Sequence, residues 1–162
     1  MPMNSSKKSA SKINLILGLT LLFVLGCVNI DEDIVLEDLS AREIFINAEK
    51  AWGNGDNEKA AELFLEIERI YPYSELAKQA LLNNAIVLQL EKDYEGSRLS
   101  ANRFITFYPA DKNTPYAYYL LALSYYDQID EIGRDQANTY EALKLFRIII
   151  ERYPESEFAS AS

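Results

Sequence analysis

Apolar and polar residues follow two different rhythms along this chain. Residues 1–12 are polar, Ile13 to Leu25 form an almost unbroken apolar run, and beyond Asp38 the apolar residues recur at three- and four-residue intervals. The last rhythm is that of amphipathic helices. Ser40-Ala41-Arg42-Glu43 has the form of a capping box, with Leu39 and Ile44 placed to close a hydrophobic staple. It predicts a first helix, A1, from Ala41 to about Trp52. Gly53, Gly55 and Asp56 then make a turn, and helix B1 carries Ala60, Phe64, Ile67 and Ile70 toward a stop at Pro72. Helix A2 starts at Ser74 with Ala77, Ala80, Leu81, Ala85 and Leu88 on its apolar face. Asp93 caps helix B2, which carries Tyr94, Phe104, Ile105 and Tyr108 before Pro109. Thr114-Pro115 reads as a cap followed by proline at the first position of A3. Asn138, with Glu141 three residues on, caps B3, whose apolar residues are Ala142, Phe146, Ile149, Ile150 and Tyr153.

The elements repeat. Pro72-Tyr73-Ser74-Glu75-Leu76-Ala77 returns as Pro154-Glu155-Ser156-Glu157-Phe158-Ala159, and Ala48, Ala85 and Ala122 stand 37 residues apart. From each alanine to the next stopping proline the distance is 24, 24 and then 32 residues, so the third unit carries an insertion of 8. A period between about 20 and 50 residues signals a solenoid. The expected fold is therefore all-α, a solenoid of antiparallel helix pairs over residues 39–162, with units at about 40–73, 74–110 and 111–155 and the start of a fourth at 156–162.

In the first unit, alanine at unit positions 8 and 20, glycine at 15, phenylalanine at 24 and proline at 32 together resemble the tetratricopeptide repeat; they are Ala48, Ala60, Gly55, Phe64 and Pro72. The second unit departs from that pattern at Ser97 and Ala101, where alanine and a large aromatic are usual. The resemblance implies that A helices line a concave groove through positions 2, 5, 9 and 12. In the first unit these are Arg42, Phe45, Glu49 and Trp52. In the second they are Gln79, Leu82, Ile86 and Gln89, and in the third Tyr116, Tyr119, Leu123 and Tyr126. Such a surface is aromatic and nearly uncharged, the composition of recognition surfaces. The same rings at helical spacing equally suit packing between helices. The insertion, around residues 129–136, offers Ile132, Gly133, Arg134 and Asp135 as a second contact surface or a plain solvated loop. Asn83 and Asn84 suit inter-helix hydrogen bonding better than capture of a peptide backbone.

Composition narrows the chemistry. The 162 residues carry a net charge of −9 and no histidine. An acidic chain repels phosphate backbones, so nucleic acid is not an expected partner. The lack of histidine removes the commonest general base and transition-metal ligand, and the acids form no close pair against a predicted cleft. No enzymatic site, metal site or cofactor is expected. The single cysteine, Cys27, excludes an internal disulfide.

Cys27 ends the N-terminal pattern. Three lysines, Lys7, Lys8 and Lys12, precede an apolar run of 13 residues, too short to span a bilayer that needs about 20. Val24-Leu25-Gly26-Cys27 then resembles the bacterial lipoprotein signal, in which cleavage before the cysteine leaves a residue to be lipidated. Residues 1–26 are expected to be the signal peptide and 27–38 a lipidated acidic tether. The competing possibility is a membrane anchor closed by an ordinary cysteine. In proteins of this kind an aspartate after the cysteine favours the inner membrane, and Val28 instead leans toward the outer one.

Signal, tether and repeats together resemble the BamD family, the lipoprotein subunits of the bacterial β-barrel assembly machinery. The residues that carry the resemblance are Ser40-Ala41-Arg42-Glu43, Arg69-Ile70-Tyr71-Pro72-Tyr73-Ser74, Arg103-Phe104-Ile105 before Tyr108-Pro109, and Gly133-Arg134-Asp135. It implies a non-enzymatic scaffold on the periplasmic face of the outer membrane. Its implied partners are the barrel-forming subunit, accessory lipoproteins and unfolded outer-membrane proteins. Because family members have about five units, roughly the C-terminal two fifths is expected to be missing from this chain. Two rivals stand beside it: a tetratricopeptide adaptor for envelope or cell-wall machinery, and an accessory module of a cell-wall enzyme.

Overall fold

The computed structural model describes Leu36, residues 39–129 and residues 136–162. Helix α1 (Ala41–Gly53) begins as the capping box requires. The Ser40 hydroxyl accepts from the Glu43 amide at 3.3 Å, and the Glu43 carboxylate accepts from the Ser40 amide at 2.8 Å. These bonds, the Ser40 side chain first, hold the Glu43 carboxyl below its ordinary range. Gly55 turns the chain at φ 81°, and Asp56 accepts from the Lys59 amide to start α2 (Asn57–Ile70). Ser74 caps α3 (Glu75–Leu90) through the Ala77 amide at 3.0 Å. One repeat after Gly55, Lys92 makes the same left-handed turn at φ 62°, and Asp93 caps α4 (Tyr94–Phe107). The left-handed region is strained for a residue with a Cβ.

Two predicted caps are corrected. Helix α5 (Thr114–Tyr126) follows Asn113, and Thr114 is already inside it, its hydroxyl donating to the Tyr108 carbonyl at 2.7 Å. Helix α6 (Ala137–Arg152) follows Gln136, and Asn138 spends its amide on the Gln128 carbonyl at 3.1 Å, stitching α6 to the end of α5. Both polar groups found a tertiary acceptor that a local pattern cannot reveal. The chain closes with α7 (Glu157–Ala161), capped by Ser156.

Each helix packs on its sequence neighbour, α1 on α2 through to α6 on α7. The first helices of successive units also touch, α1 with α3 and α3 with α5, whereas α2 and α4 scarcely meet. The array therefore has a tight inner side made by α1, α3 and α5 and a splayed outer side. Small residues make the pairs possible: Ala48, Ala60, Ala85, Ser97 and Ala122 are all fully buried. Phe64 is buried between Phe45, 5.5 Å away edge-on, and Trp52 at 6.2 Å. Where the second unit lacks that ring, at Ala101, Phe104 fills the core instead and leans on Tyr108 at 5.3 Å. Ile150, expected inside, is exposed, and Leu145 takes the buried place on α6.

A buried polar chain links three helices. Asn84 on α3 donates to the Ala61 carbonyl of α2 at 2.6 Å and accepts from the Ser100 hydroxyl of α4 at 2.7 Å. Ser97 donates to the Ala85 carbonyl at 2.9 Å. A buried group stripped of its partner bears its full desolvation cost.

Asn84→Ala leaves the Ser100 hydroxyl and the Ala61 carbonyl with a lost partner each, and is expected to destabilise the chain by about 1–3 kcal/mol. Urea unfolding checks it, and adding Ser100→Ala should cost much less than the separate effect of that change, since the two act on one network. Lys92→Gly relieves the left-handed turn and is expected to raise stability by about 1 kcal/mol, read as a higher urea midpoint at constant slope.

Candidate partner-binding surface

The twelve predicted groove residues lie on α1, α3 and α5, whose mutual contacts make the inner side. They divide by burial. Phe45 and Leu82 are core residues, 8% and 7% exposed. Trp52, Ile86 and Leu123 are half-buried, while Arg42, Glu49, Gln79 and Tyr126 face solvent. The rings thus serve the core with one face and leave an edge outside, which is how aromatic side chains combine packing with contact.

The third unit carries most of the ring surface, and much of it is already covered. Tyr116 stacks on Phe158 of α7, centroids 4.8 Å apart and planes 22° from parallel, and Tyr119 meets the same ring at 5.4 Å. Tyr119 and Tyr126 also lie 6.1 Å and 6.4 Å from Phe146 on α6. Burial pushes the Tyr116 phenol above its ordinary range, with Tyr119 adding to the effect. The tetratricopeptide resemblance placed Tyr116 and Tyr119 in the groove and could not show Phe158 over them, because that contact joins residues about forty positions apart. The exposed member is Tyr126, at 57%.

Gln89 supplies the polar feature of this side. Its amide nitrogen donates to Asp127 at 2.7 Å, joining α3 to the end of α5, while its Oε1 is buried without a hydrogen-bond partner. A donor from outside would satisfy it. Trp52, Gln89 and Tyr126 occupy the same place in successive units, so this acceptor stands between Trp52 and Tyr126 in the row of units. Asn84, weighed as a backbone-binding group, is consumed by the core network. Among the described residues no group of three or more acids and thiols is arranged to hold a metal ion. Nor is any described helix long and apolar enough to cross a membrane. Cys27 and the insertion residues Ile132, Gly133, Arg134 and Asp135 lie outside the described residues.

Beyond the groove, the array is braced by an ion cluster at the unit boundary. Lys78 on α3 lies 2.9 Å from Asp111 and 2.7 Å from Glu75, and both carboxylates raise its pKa. The Asn113 amide, and then Lys78, hold the Asp111 carboxyl low.

Helix pairs in this order, with the capping box at residue 40 and the ring row inside, agree with a specific match. A model of the family YfiO, outer membrane lipoprotein, matches residues 37–162. The chain belongs to the YfiO family. It is similar to the outer membrane protein assembly factor BamD of Caulobacter vibrioides, 32% identical over 127 residues, covering 78% of this chain and 42% of that protein. Similarity to the factor of the same name from Rickettsia prowazekii is 39% over 101 residues, covering 62% of this chain and 40% of the other. To that of Neisseria meningitidis it is 24% over 164 residues, covering 95% and 61%. The chain spans about two fifths to three fifths of these relatives' length. The YfiO match takes in every groove position and starts after Cys27.

Phe158→Ala uncovers the Tyr116 ring and is expected to bring its ionisation back toward the ordinary tyrosine value of about 10. Ultraviolet titration of the phenols against a Tyr116→Phe control measures the shift.

Proposed function

We propose that the chain is a non-enzymatic lipoprotein scaffold of the outer-membrane β-barrel assembly machinery, helping recruit β-barrel proteins and insert them into the outer membrane. The observation that carries it is the YfiO match over residues 37–162, the whole repeat array, together with relatives named as outer membrane protein assembly factors. The inner face suits the task. Strands bound for a barrel carry alternate apolar residues and unpaired backbone N–H groups before insertion. The Trp52 ring on α1 and the Tyr126 ring on α5, with Ile86 of α3 between them in the row, offer contact area to the first, and the buried Gln89 oxygen offers an acceptor to the second. Few charges on this face keep its preference for sequence low, as a general recruiter requires.

Lipidation of Cys27 places this scaffold on the outer membrane at its periplasmic face. Each buried methylene contributes about 0.8 kcal/mol, so several chains on one cysteine anchor stably. Residues 27–38 serve as the acidic tether. The barrel-forming subunit and the accessory lipoproteins of the machinery are the other partners, with Ile132, Gly133, Arg134 and Asp135 as a contact for them.

Photo-crosslinking groups at Gln79, Tyr119 and Tyr126 are expected to capture unfolded β-barrel protein in native membranes, and one at Thr106 on α4 is not. Tyr126→Asp should lower capture about tenfold, the scale of a contact hot spot, and Cys27→Ala should move the chain to the soluble fraction. Equal capture from Thr106, or capture of cell-wall enzymes in place of barrel proteins, overturns the proposal in favour of an envelope adaptor.

A further inference from the structure

Because α2 and α4 splay apart, a cleft of about 520 Å³ opens between them on the outer side, with α3 as its floor. Ala61, Leu65, Leu88 and Leu99 give it apolar walls, and Leu65 and Leu99 are exposed at its mouth. Its rim is acidic: Glu58, Glu62, Glu91 and Asp93 outnumber the lining base Arg103, which is paired to Glu68, while Glu62 is paired to Lys59 outside the lining.

The same hollow exists one repeat further on, and there Arg98 narrows it to about 320 Å³. Glu95, Arg98 and Tyr125 stand 37 residues after Glu58, Ala61 and Leu88. The Arg98 guanidinium lies 4.6 Å above the Tyr125 ring, donates to the Ser124 carbonyl at 3.2 Å, and pairs with Glu95 and Gln128. In the first hollow Ala61 offers only a methyl group where Arg98 offers a cation, and Glu58 waits where Glu95 is paired. The second unit shows what fits this shape: a guanidinium against an acid, a backbone carbonyl and the flat side chain of Tyr125, whose place Leu88 takes in the first hollow.

We propose that the α2–α4 cleft docks an amphipathic segment of a partner protein that inserts an arginine beside apolar side chains. Arginine suits the site better than lysine because its planar, weakly hydrated group can lie flat against apolar surface while pairing with a carboxylate. A second copy of this chain is a poor occupant, since its net charge of −9 opposes contact with an acidic rim. Anionic headgroups are opposed for the same reason. The surface lies on the face opposite the ring-lined groove and stands independently of the function proposed above.

The test uses the full chain and a fluorescent helical peptide with one arginine flanked by leucines at three- and four-residue spacing, beside a twin with glutamine for arginine. The arginine peptide is expected to bind, to shift the methyl resonances of Leu65, Leu88 and Leu99, and to lose at least about tenfold in affinity with Ala61→Arg or Glu58→Gln. Equal binding of the glutamine twin, undiminished binding by Ala61→Arg, or methyl shifts confined to other leucines overturns the proposal. If Ala61→Arg disturbs folding by circular dichroism, Leu99→Asp at the exposed mouth replaces it, and undiminished binding there overturns it equally. Self-association of the chain that moves the same methyls overturns it in favour of a second copy.

Discussion

Close approach of two helices within each unit is the constraint from which the rest of this structure follows. It is visible at Ser97, whose hydroxyl reaches the Ala85 carbonyl of the facing helix at 2.9 Å. Only a small residue on both sides lets backbone and side chain come so near. Ala48 with Ala60 and Ala122 with Ala142 hold the matching places in the other pairs, all buried. With the pairs drawn tight, the large side chains pack beside the small ones within each unit. There Phe64 meets Phe45 and Trp52, and Phe104 meets Tyr108. A solenoid is the geometric result, because each unit leaves an apolar face that the next must cover.

The pairing of helices was legible in the sequence because its causes are local. Ser40, Ser74, Asp56 and Asp93 cap the helices that follow them, and each does so through the amide three residues on. The failures share one physical reason. Thr114 and Asn138 have the right chemistry for caps, yet each binds a carbonyl of another segment, Tyr108 or Gln128. The departures from the repeat pattern at Ser97 and Ala101 are accommodated by a hydroxyl bond and by Phe104. A pattern shows which side chain is available; the fold decides which partner is nearest.

The groove was legible as a row of positions and not as a surface. Periodicity gives the direction of a side chain from its own helix axis, and it placed Trp52, Gln89 and Tyr126 on one line. What covers that line depends on the following unit: Phe158 lies on Tyr116 and Tyr119, leaving Tyr126 as the exposed ring. Recognition and packing are therefore not alternatives for these tyrosines. A ring held by Phe146 or Phe158 on one face has lost its rotamer freedom already, so an outer edge meets a partner at little further entropic cost.

Curvature ties the two sides of the array together. Contacts of α1 with α3 and of α3 with α5 shorten the inner side, and the geometry of a bent stack then requires the outer helices to diverge. A hollow must open at every unit boundary, so a hollow alone carries no information. The informative quantity is the difference between equivalent hollows, where the period and the acid are preserved while Ala61 becomes Arg98 and Leu88 becomes Tyr125. Arg98 narrows the second with contacts to Tyr125, Ser124 and Gln128, which are also bonds between units and so brace the array. Ala61 forgoes that brace at the first boundary. The Asn84 bridge from Ala61 to Ser100 supplies cohesion there from beneath, so the boundary holds together while its outer cleft stays open.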